Sequence, residues 1–339
     1  MPILHIHSAG PGLTVQDLGR PGWKAQGLSS GGAADRLALF EAAALLDAPP
    51  DQAVIEMMGF GGTFSVTHPT RIALTGASMQ ADIDSTPIAP NMTHILQAGA
   101  KLKIGGALAG VYGYLAFAGG ILSEQIMDSR ATHLTAGIGA RLQPGETLPL
   151  GPDPDPMRAA QKLAPDARFN GGTIRIMPGP QTDFFSATVL DRFAKTIFAR
   201  SPRGNRQGVR LDYGGTGFPI EGGRTLVSEL IVPGDIQMTG DGVPYVLLAE
   251  CQTIGGYPRI GSVIPADLPK IAQAAPGTDL TFQFLSVDEA DATAISDADL
   301  LIKLAQSCQP IIRDPHDIAD LLSYQLISGA TAGDDVERP

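Results

Sequence analysis

Glycine or proline occupies about every fifth position of this chain, 41 and 27 of 339 residues respectively. Such dense punctuation leaves little room for long helices and favours many short strands joined by tight turns. With 43% hydrophobic residues the chain can still bury a sizeable core, and its length suggests two compact units.

The apolar runs fit this expectation. Ile3-Leu-His5-Ile-His7 reads as a first strand with both histidines on one face, a pair better explained as polar strand positions than as metal ligands. From Val54 to Leu150 short strands alternate with turns. The uncharged stretch Ile104 to Ser123 has the length of a membrane span, but its six glycines and the alternation of Val111-Tyr-Gly-Tyr-Leu-Ala-Phe117 point to buried strands instead. Neither a membrane nor a nucleic acid is expected as partner, because a net charge of −11 repels polyanions. Arg200, Arg203, Arg206 and Arg210 form the one local basic patch.

A glycine-turn-strand module recurs at Ala98-Gly-Ala-Lys-Leu-Lys-Ile104, Pro144-Gly-Glu-Thr-Leu-Pro-Leu150 and Pro276-Gly-Thr-Asp-Leu-Thr-Phe282, which supports two related β-rich halves. Between them Gly151-Pro-Asp-Pro-Asp-Pro156 and a polar run to Asn170 cannot hold a sheet ladder. Helices are expected from an Asp35 N-cap through Leu45, around Phe184 to Phe193, from the Ser296-Asp-Ala-Asp299 cap along Leu300 to Cys308, and from Asp314-Pro315 along Ile318 to Ile327. The two cysteines, Cys251 and Cys308, lie far apart, which suits a reduced compartment and no structural zinc. The amino terminus shows no secretory signal, so a cytoplasmic location is expected.

Several motifs are missing: there is no phosphate-cradling G-x-x-x-x-G-K-[ST], no dinucleotide fingerprint and no H-E-x-x-H. Gly27-Leu28-Ser29-Ser30-Gly31 does fit G-x-S-x-G ahead of a helix. Lys24-Ala25-Gln26 is a poor strand, however, and His68, His94, His133 and His316 sit in no convincing acid–base setting, so a serine hydrolase is not expected. What remains is amide-handling equipment, concentrated from Ser228 to Phe282. Gln237, Gln252, Thr253 and Tyr257 can meet both the carbonyl and the N–H of an amide. Asp17, Asp241, Glu250 and Tyr257 are candidate acid–base groups, and Arg20, Arg210 or the Gly255-Gly256 backbone could stabilise an oxyanion. Gly255-Gly256 reads as a point where the backbone turns sharply or approaches a partner closely. Each of these residues could equally serve a turn.

Ser228-Glu-Leu-Ile-Val-Pro-Gly-Asp-Ile-Gln237, Gly240-Asp-Gly-Val-Pro244, Glu250-Cys-Gln-Thr-Ile-Gly-Gly-Tyr-Pro-Arg259 and Asp267-Leu-Pro-Lys-Ile-Ala-Gln273 resemble the C-terminal half of the biotin-dependent carboxyltransferase family. Gly12-Leu-Thr-Val-Gln16-Asp17-Leu-Gly-Arg20-Pro-Gly and Gly31-Gly-Ala-Ala-Asp35 resemble its N-terminal signature, and the likeness covers about residues 10 to 285. The family includes urea amidolyase-type carboxyltransferase domains, C-type subunits of 5-oxoprolinases and the antagonist of a sporulation-kinase inhibitor. The resemblance implies a mainly β fold with minor α: two pseudo-repeated cyclophilin-like β-barrel subdomains plus a C-terminal helical hairpin. The expected boundaries are 1–155 for the first barrel, 156–170 for a linker, 171–288 for the second barrel, 289–329 for a helical extension and 330–339 for a flexible tail.

On the chemistry of their side chains and backbone, Gln16, Arg20, Arg210, Gln237, Gln252, Thr253, Gly255 and Gly256 are the expected substrate-binding residues, with no metal. A chain with no biotin carrier of its own looks most like the C-type branch of ATP-dependent 5-oxoprolinases, which open the lactam of 5-oxoproline. That branch implies a B-type companion subunit, an A-type subunit besides, and ATP used by the complex. A biotin-dependent carboxyltransferase acting on urea or a related amide, with biotin on a separate carrier, is the alternative. A non-catalytic regulator of a kinase inhibitor is a third.

Overall fold

The computed structural model describes residues 1–220 and 226–311. The second of the expected C-terminal helices and the tail lie outside these residues.

The first half is a nine-stranded antiparallel sheet that curls as a half-barrel. Its strands are β1 (Ile3–Ala9), β2 (Leu13–Gln16), β3 (Val54–Met58), β4 (Gly62–Val66), β5 (Thr70–Ile83), β6 (Thr86–Pro87), β7 (Thr93–Leu96), β8 (Leu102–Phe117) and β9 (Thr147–Pro149). The order runs β2-β3-β8-β4-β1-β9, and β5 lies along β8 with β6 and β7 beside it. The uncharged segment is therefore strand, and no helix among the described residues is long and apolar enough to cross a membrane. The two long strands bend where their register shifts between Gly76 and Ala81. Gly76 has φ +71°, and a Cβ there would meet the Tyr112 carbonyl oxygen at 2.5 Å, so only glycine permits the bend. Leu4, Ile6, Leu13, Ile55, Phe64, Ile72, Leu102, Leu115 and Phe117 fill the interior.

Helix α1 (Arg36–Leu46) follows β2, capped as the sequence indicates by the Asp35 carboxylate, which accepts from the Ala38 amide at 3.3 Å. The helix packs on β5. The segment 156–170 then carries β10 (Gln161–Lys162) and a short turn bearing the buried Arg168.

The second half is a closed seven-stranded barrel. Its chain order is β11 (Gly172–Met177), α2 (Ala187–Lys195), β12 (Phe198–Gly204), β13 (Gly208–Asp212), β14 (Glu229–Leu230), β15 (Asp235–Met238), β16 (Pro244–Leu247), β17 (Ile254–Gly255), β18 (Arg259–Val263), α3 (Leu268–Gln273) and β19 (Asp279–Phe284). The barrel closes as β11-β18-β15-β16-β13-β12-β19, while β14 and β17 pair as a separate two-stranded strap. Phe193 of α2 packs among Phe198, Phe218 and Phe282 at ring-centroid distances of 5.0–5.3 Å, a spacing at which edge and tilted aromatic contacts are favourable. After the barrel come α4 (Val287–Asp291), α5 (Asp297–Ser307) and β20 (Gln309–Pro310). Helix α5 packs on α1 and β20 pairs with β10, so this extension returns to the first half.

The halves are joined by charge as well as by apolar contact. Arg168 donates to Asp35 at 2.8 Å and to both oxygens of Glu41 at 2.7 Å, all three side chains being buried. Gln273 of α3, fully buried, accepts from the Val111 and Tyr112 amides and donates to the Tyr112 carbonyl and to Asp35. Arg206 bridges Glu56 of β3 and Glu250 of the second half, and it also donates to the Gly32 carbonyl. Removing one member of a buried ion pair of this kind is costly, because it strands the other in low dielectric.

Candidate functional site

The mouth of the second barrel opens into a cavity of about 580 Å³, within the range of small-molecule sites. Asn205, Gln207, Gln237 and Gln252 supply amides to its wall, Thr239, Tyr245 and Tyr257 supply hydroxyls, and Ile231 and Leu247 supply apolar surface. Among the described residues Arg203 is the only formally charged one in the wall. The strands explain this composition: Gln237 lies on β15 opposite Tyr245 of β16 and Arg259 of β18, while the glycine-pair segment forms the facing rim.

Gln237 is the distinctive group. It is 9% exposed, and its Nε2 has no hydrogen-bond partner among the described residues although it is buried. A buried donor left without an acceptor costs about 1–3 kcal/mol, which a bound acceptor would recover. Gly255 accounts for its position, since a Cβ there would lie 2.5 Å from Gln237 Nε2. Neither Gly255 nor Gly256 has a positive φ. Of the two sequence readings of this pair, a sharp turn or a close approach, the structure shows the approach.

A second, smaller chamber of about 330 Å³ adjoins the first, and Cys251 and Gln252 line both. Its wall includes Ser29, His133, Thr135, Thr253 and Ile254. Ser29 Oγ and His133 Nε2 are 2.8 Å apart and buried, and His133 Nδ1 stands 3.8 Å from Glu250. The expectation that no histidine meets the Gly27-to-Gly31 serine is thus corrected. Sequence reasoning missed the pair because its members are 104 residues apart. The absence of a strand before Ser29 does hold: Lys24–Gln26 is a single 3-10 turn.

The other expected site residues fall in several places. Tyr257, 52% exposed, and Gln252 stand on the rim, and Thr253 lines the smaller chamber. Glu250 lies beneath that chamber with both oxygens occupied: Oε1 accepts from Arg206 at 2.6 Å, and Oε2 accepts from the Thr135 amide and hydroxyl at 3.1 Å. Burial alone would raise its pKa, but the Arg206 guanidinium holds the carboxyl below its usual value. Asp17 braces a loop, accepting from the Gly19 amide, the Ser129 hydroxyl and the Arg130 amide at 2.6–2.7 Å. Gln16 is fully buried and donates to Thr14 Oγ1 and the Thr132 carbonyl. Arg20, 1% exposed, donates to the Ile126 and Ala131 carbonyls and leaves Nη1 unpartnered.

Arg210 pairs with Asp212 at 2.9 Å, and neither it nor Asp241, exposed in its turn beside Thr239, lines either chamber. The basic patch read from sequence is not a surface patch. Arg200 and Arg206 are buried, and of the four arginines only Arg203 is exposed. Arg203, Asn205, Gln207 and Tyr245 are cavity residues that sequence reasoning left out; the only signal was their place in the β12–β13 turn and on β16, facing Gln237. No group of three or more His, Cys, Asp or Glu side chains suited to a metal occurs among the described residues.

A half-barrel fused to a closed barrel, with an amide-lined mouth at one end and a hydroxyl-bearing chamber beside it, defines a protein of two barrel-like halves. More particularly, the chain belongs to the family described as carboxyltransferase domain, subdomain A and B, whose model matches residues 26–284. It is 34% identical to the C-type subunit of 5-oxoprolinase from Escherichia coli over 292 residues, covering 85% of this chain and 93% of that one. Among solved structures, TTHA0988 superposes with a TM-score of 0.75 at 27% identity; the match covers 84% of this chain and 55% of the other, so the chain spans about half of that relative's length. The K. lactis urea amidolyase shares the fold, with a TM-score of 0.76 at 23% identity, over 85% of this chain and 19% of its own.

Proposed function

We propose that this chain is the C-type subunit of an ATP-dependent 5-oxoprolinase and that the cavity at the mouth of its second barrel holds the lactam. The unpartnered Gln237 amide carries this reading. A lactam presents a carbonyl acceptor beside an N–H donor, and the wall offers amides able to meet both. The five-membered ring suits Ile231 and Leu247, and the carboxylate of 5-oxoproline suits Arg203, the one cation among the described wall residues. The likeness to the E. coli protein over nearly the whole of both chains supports the same choice.

Companion subunits of B type and A type complete the enzyme in this reading. ATP is used by the complex, and a phosphate-cradling glycine loop, which this sequence does not show, is expected from a companion. A cytoplasmic setting goes with that assembly. The wall groups of this chain bind and orient the lactam, and amide donors aimed at its carbonyl oxygen favour the charge that develops as the ring opens.

The test is 5-oxoproline-dependent ATP hydrolysis by the assembled complex, wild type beside Gln252→Ala. The reading requires turnover that depends on this chain and falls at least tenfold in the variant while the complex still assembles. An assembled complex with no such hydrolysis would overturn it.

One observation favours a second reading, carboxyl transfer to urea from biotin on a separate carrier. The family is a carboxyltransferase family, and urea also presents a carbonyl and N–H groups. Arg203 separates the two. Urea has no carboxylate, so Arg203→Ala raises the KM for 5-oxoproline and leaves that for urea unchanged.

A further inference from the structure

The smaller chamber is not needed to hold a lactam in the larger one, yet it is equally well made. Ser29 and His133 are 4% and 2% exposed, and together they form its floor. Their arrangement resembles the serine–histidine pair of an acyl-transfer nucleophile, but the hydrogen bonding runs the other way. The Ala136 backbone N–H is shared between the His133 carbonyl oxygen and His133 Nδ1, each at 3.2 Å, an arrangement that favours a lone pair on Nδ1 and hydrogen on Nε2. His133 therefore donates to Ser29 Oγ, and no base on this side accepts the serine proton. With its oxygen accepting from the imidazole, Ser29 keeps its own O–H to donate, and its hydroxyl makes no other hydrogen bond among the described residues.

The surroundings define what would take it. Among the described residues no carboxylate lines the chamber. Glu250, the nearest one, has both oxygens engaged by Arg206 and Thr135. The hydroxyl of Thr253 and the amide of Gln252 also stand in the wall. Beneath it Arg20 is a fully buried cation whose Nη1 finds no partner. A Cβ on Gly31 would stand 3.0 Å from His133 Cδ2 and 3.7 Å from Arg20 Nη1, so glycine keeps the space between the two groups open. Burial lowers the His133 pKa, and the Arg20 and Arg206 charges add to that, while Glu250 opposes it; the imidazole is neutral at physiological pH.

We propose that the smaller chamber is an oxyanion subsite in which Ser29 donates to a carboxylate or phosphoryl oxygen and His133 is the positioning residue that aims the hydroxyl. Both readings of the function call for a second reactant bearing such an oxygen, a phosphoryl group from ATP or a carboxyl group from a carrier. The subsite adjoins the lactam cavity across Gln252. It rests on the side chains of this chamber and survives a change of lactam, so it can fail or stand separately from the 5-oxoprolinase reading.

The experiment is long-range proton–nitrogen NMR of the full-length, nitrogen-15-labelled chain, titrated in turn with inorganic phosphate and with acetate, for wild type, Ser29→Ala and Ser29→Thr. The expected wild-type spectrum shows His133 neutral with hydrogen on Nε2, and that signal shifts saturably with at least one anion. Saturation by phosphate alone assigns a phosphoryl ligand, and saturation by acetate alone assigns a carboxylate. Ser29→Ala weakens binding about tenfold or more, as loss of a hydrogen bond to a charged group does, while Ser29→Thr retains it. Hydrogen on Nδ1 instead would make Ser29 a base-activated nucleophile and overturn the proposal. So would a folded wild type whose His133 signal ignores both anions, or equal affinity in Ser29→Ala.

Discussion

The seam between the two halves and the mouth of the second barrel are both rich in polar side chains, and they use them in opposite ways. At the seam Arg168, Arg206, Asp35, Glu41, Glu56 and Glu250 are buried and every one is paired. At the mouth the groups are mostly neutral amides and hydroxyls, and the most buried of them, Gln237, has a free donor. Charge that is fully answered within the chain holds the chain together; polarity left unanswered awaits a ligand. Substitutions in the two regions should therefore separate stability from activity.

The largest effect belongs to the seam. Arg206→Met strands two buried carboxylates and should cost about 3–5 kcal/mol in denaturant unfolding. Its pH dependence sharpens the point. In the wild type the folded-state pKa of Glu250 is lowered, so its contribution is present at neutral pH and is lost as acid titrates it through that lowered value. Without Arg206 burial is left to raise the Glu250 carboxyl, so the variant should gain stability as the pH falls from about 7 to about 5. A variant that loses stability over that interval would show that the seam does not depend on this ion pair.

At the mouth the order reverses. Gly255→Ala places a methyl group against Gln237 Nε2 and Ile231 Cδ1. It should lower kcat/KM for 5-oxoproline about tenfold or more, the loss of one well-placed hydrogen bond, with a small change in unfolding midpoint because a side-chain end can move aside. Arg203→Ala should raise KM by about tenfold, with kcat and the midpoint nearly unchanged. The smallest effect is expected at Arg36, whose pair with Asp297 joins α1 to α5 while both side chains stay half exposed. Arg36→Ala should leave both the midpoint and turnover where they were, since such exposed pairs contribute little.

The comparison also explains what could be read in the sequence. Glycine turns and alternating apolar runs are local signals, and they gave the β-rich halves, the Asp35 cap and the α5 cap at Ser296. All three copies of the glycine-turn-strand module carry a positive-φ glycine, at Gly99, Gly145 and Gly277. The Gln237, Gln252 and Tyr257 cluster was legible because its members lie in one segment that folds back on itself. Long-range pairings were not. Nothing local distinguishes Arg206, which ties Glu56 to Glu250, from its exposed neighbour Arg203, and nothing local joins Ser29 to His133. Gln16, Asp17 and Arg20 carry the residue types of a site, but the fold turns them mainly onto the distant segment 126–132.

The most direct measurement pairs unfolding with turnover for Gln237→Leu in the assembled complex. If the mouth is the lactam site, the unfolding free energy stays within about 1 kcal/mol of wild type, because the amide has no protein partner for its Nε2, while kcat/KM for 5-oxoproline falls at least tenfold. A variant that unfolds readily yet, where folded, turns over 5-oxoproline like wild type would place Gln237 with the architecture and contradict the account.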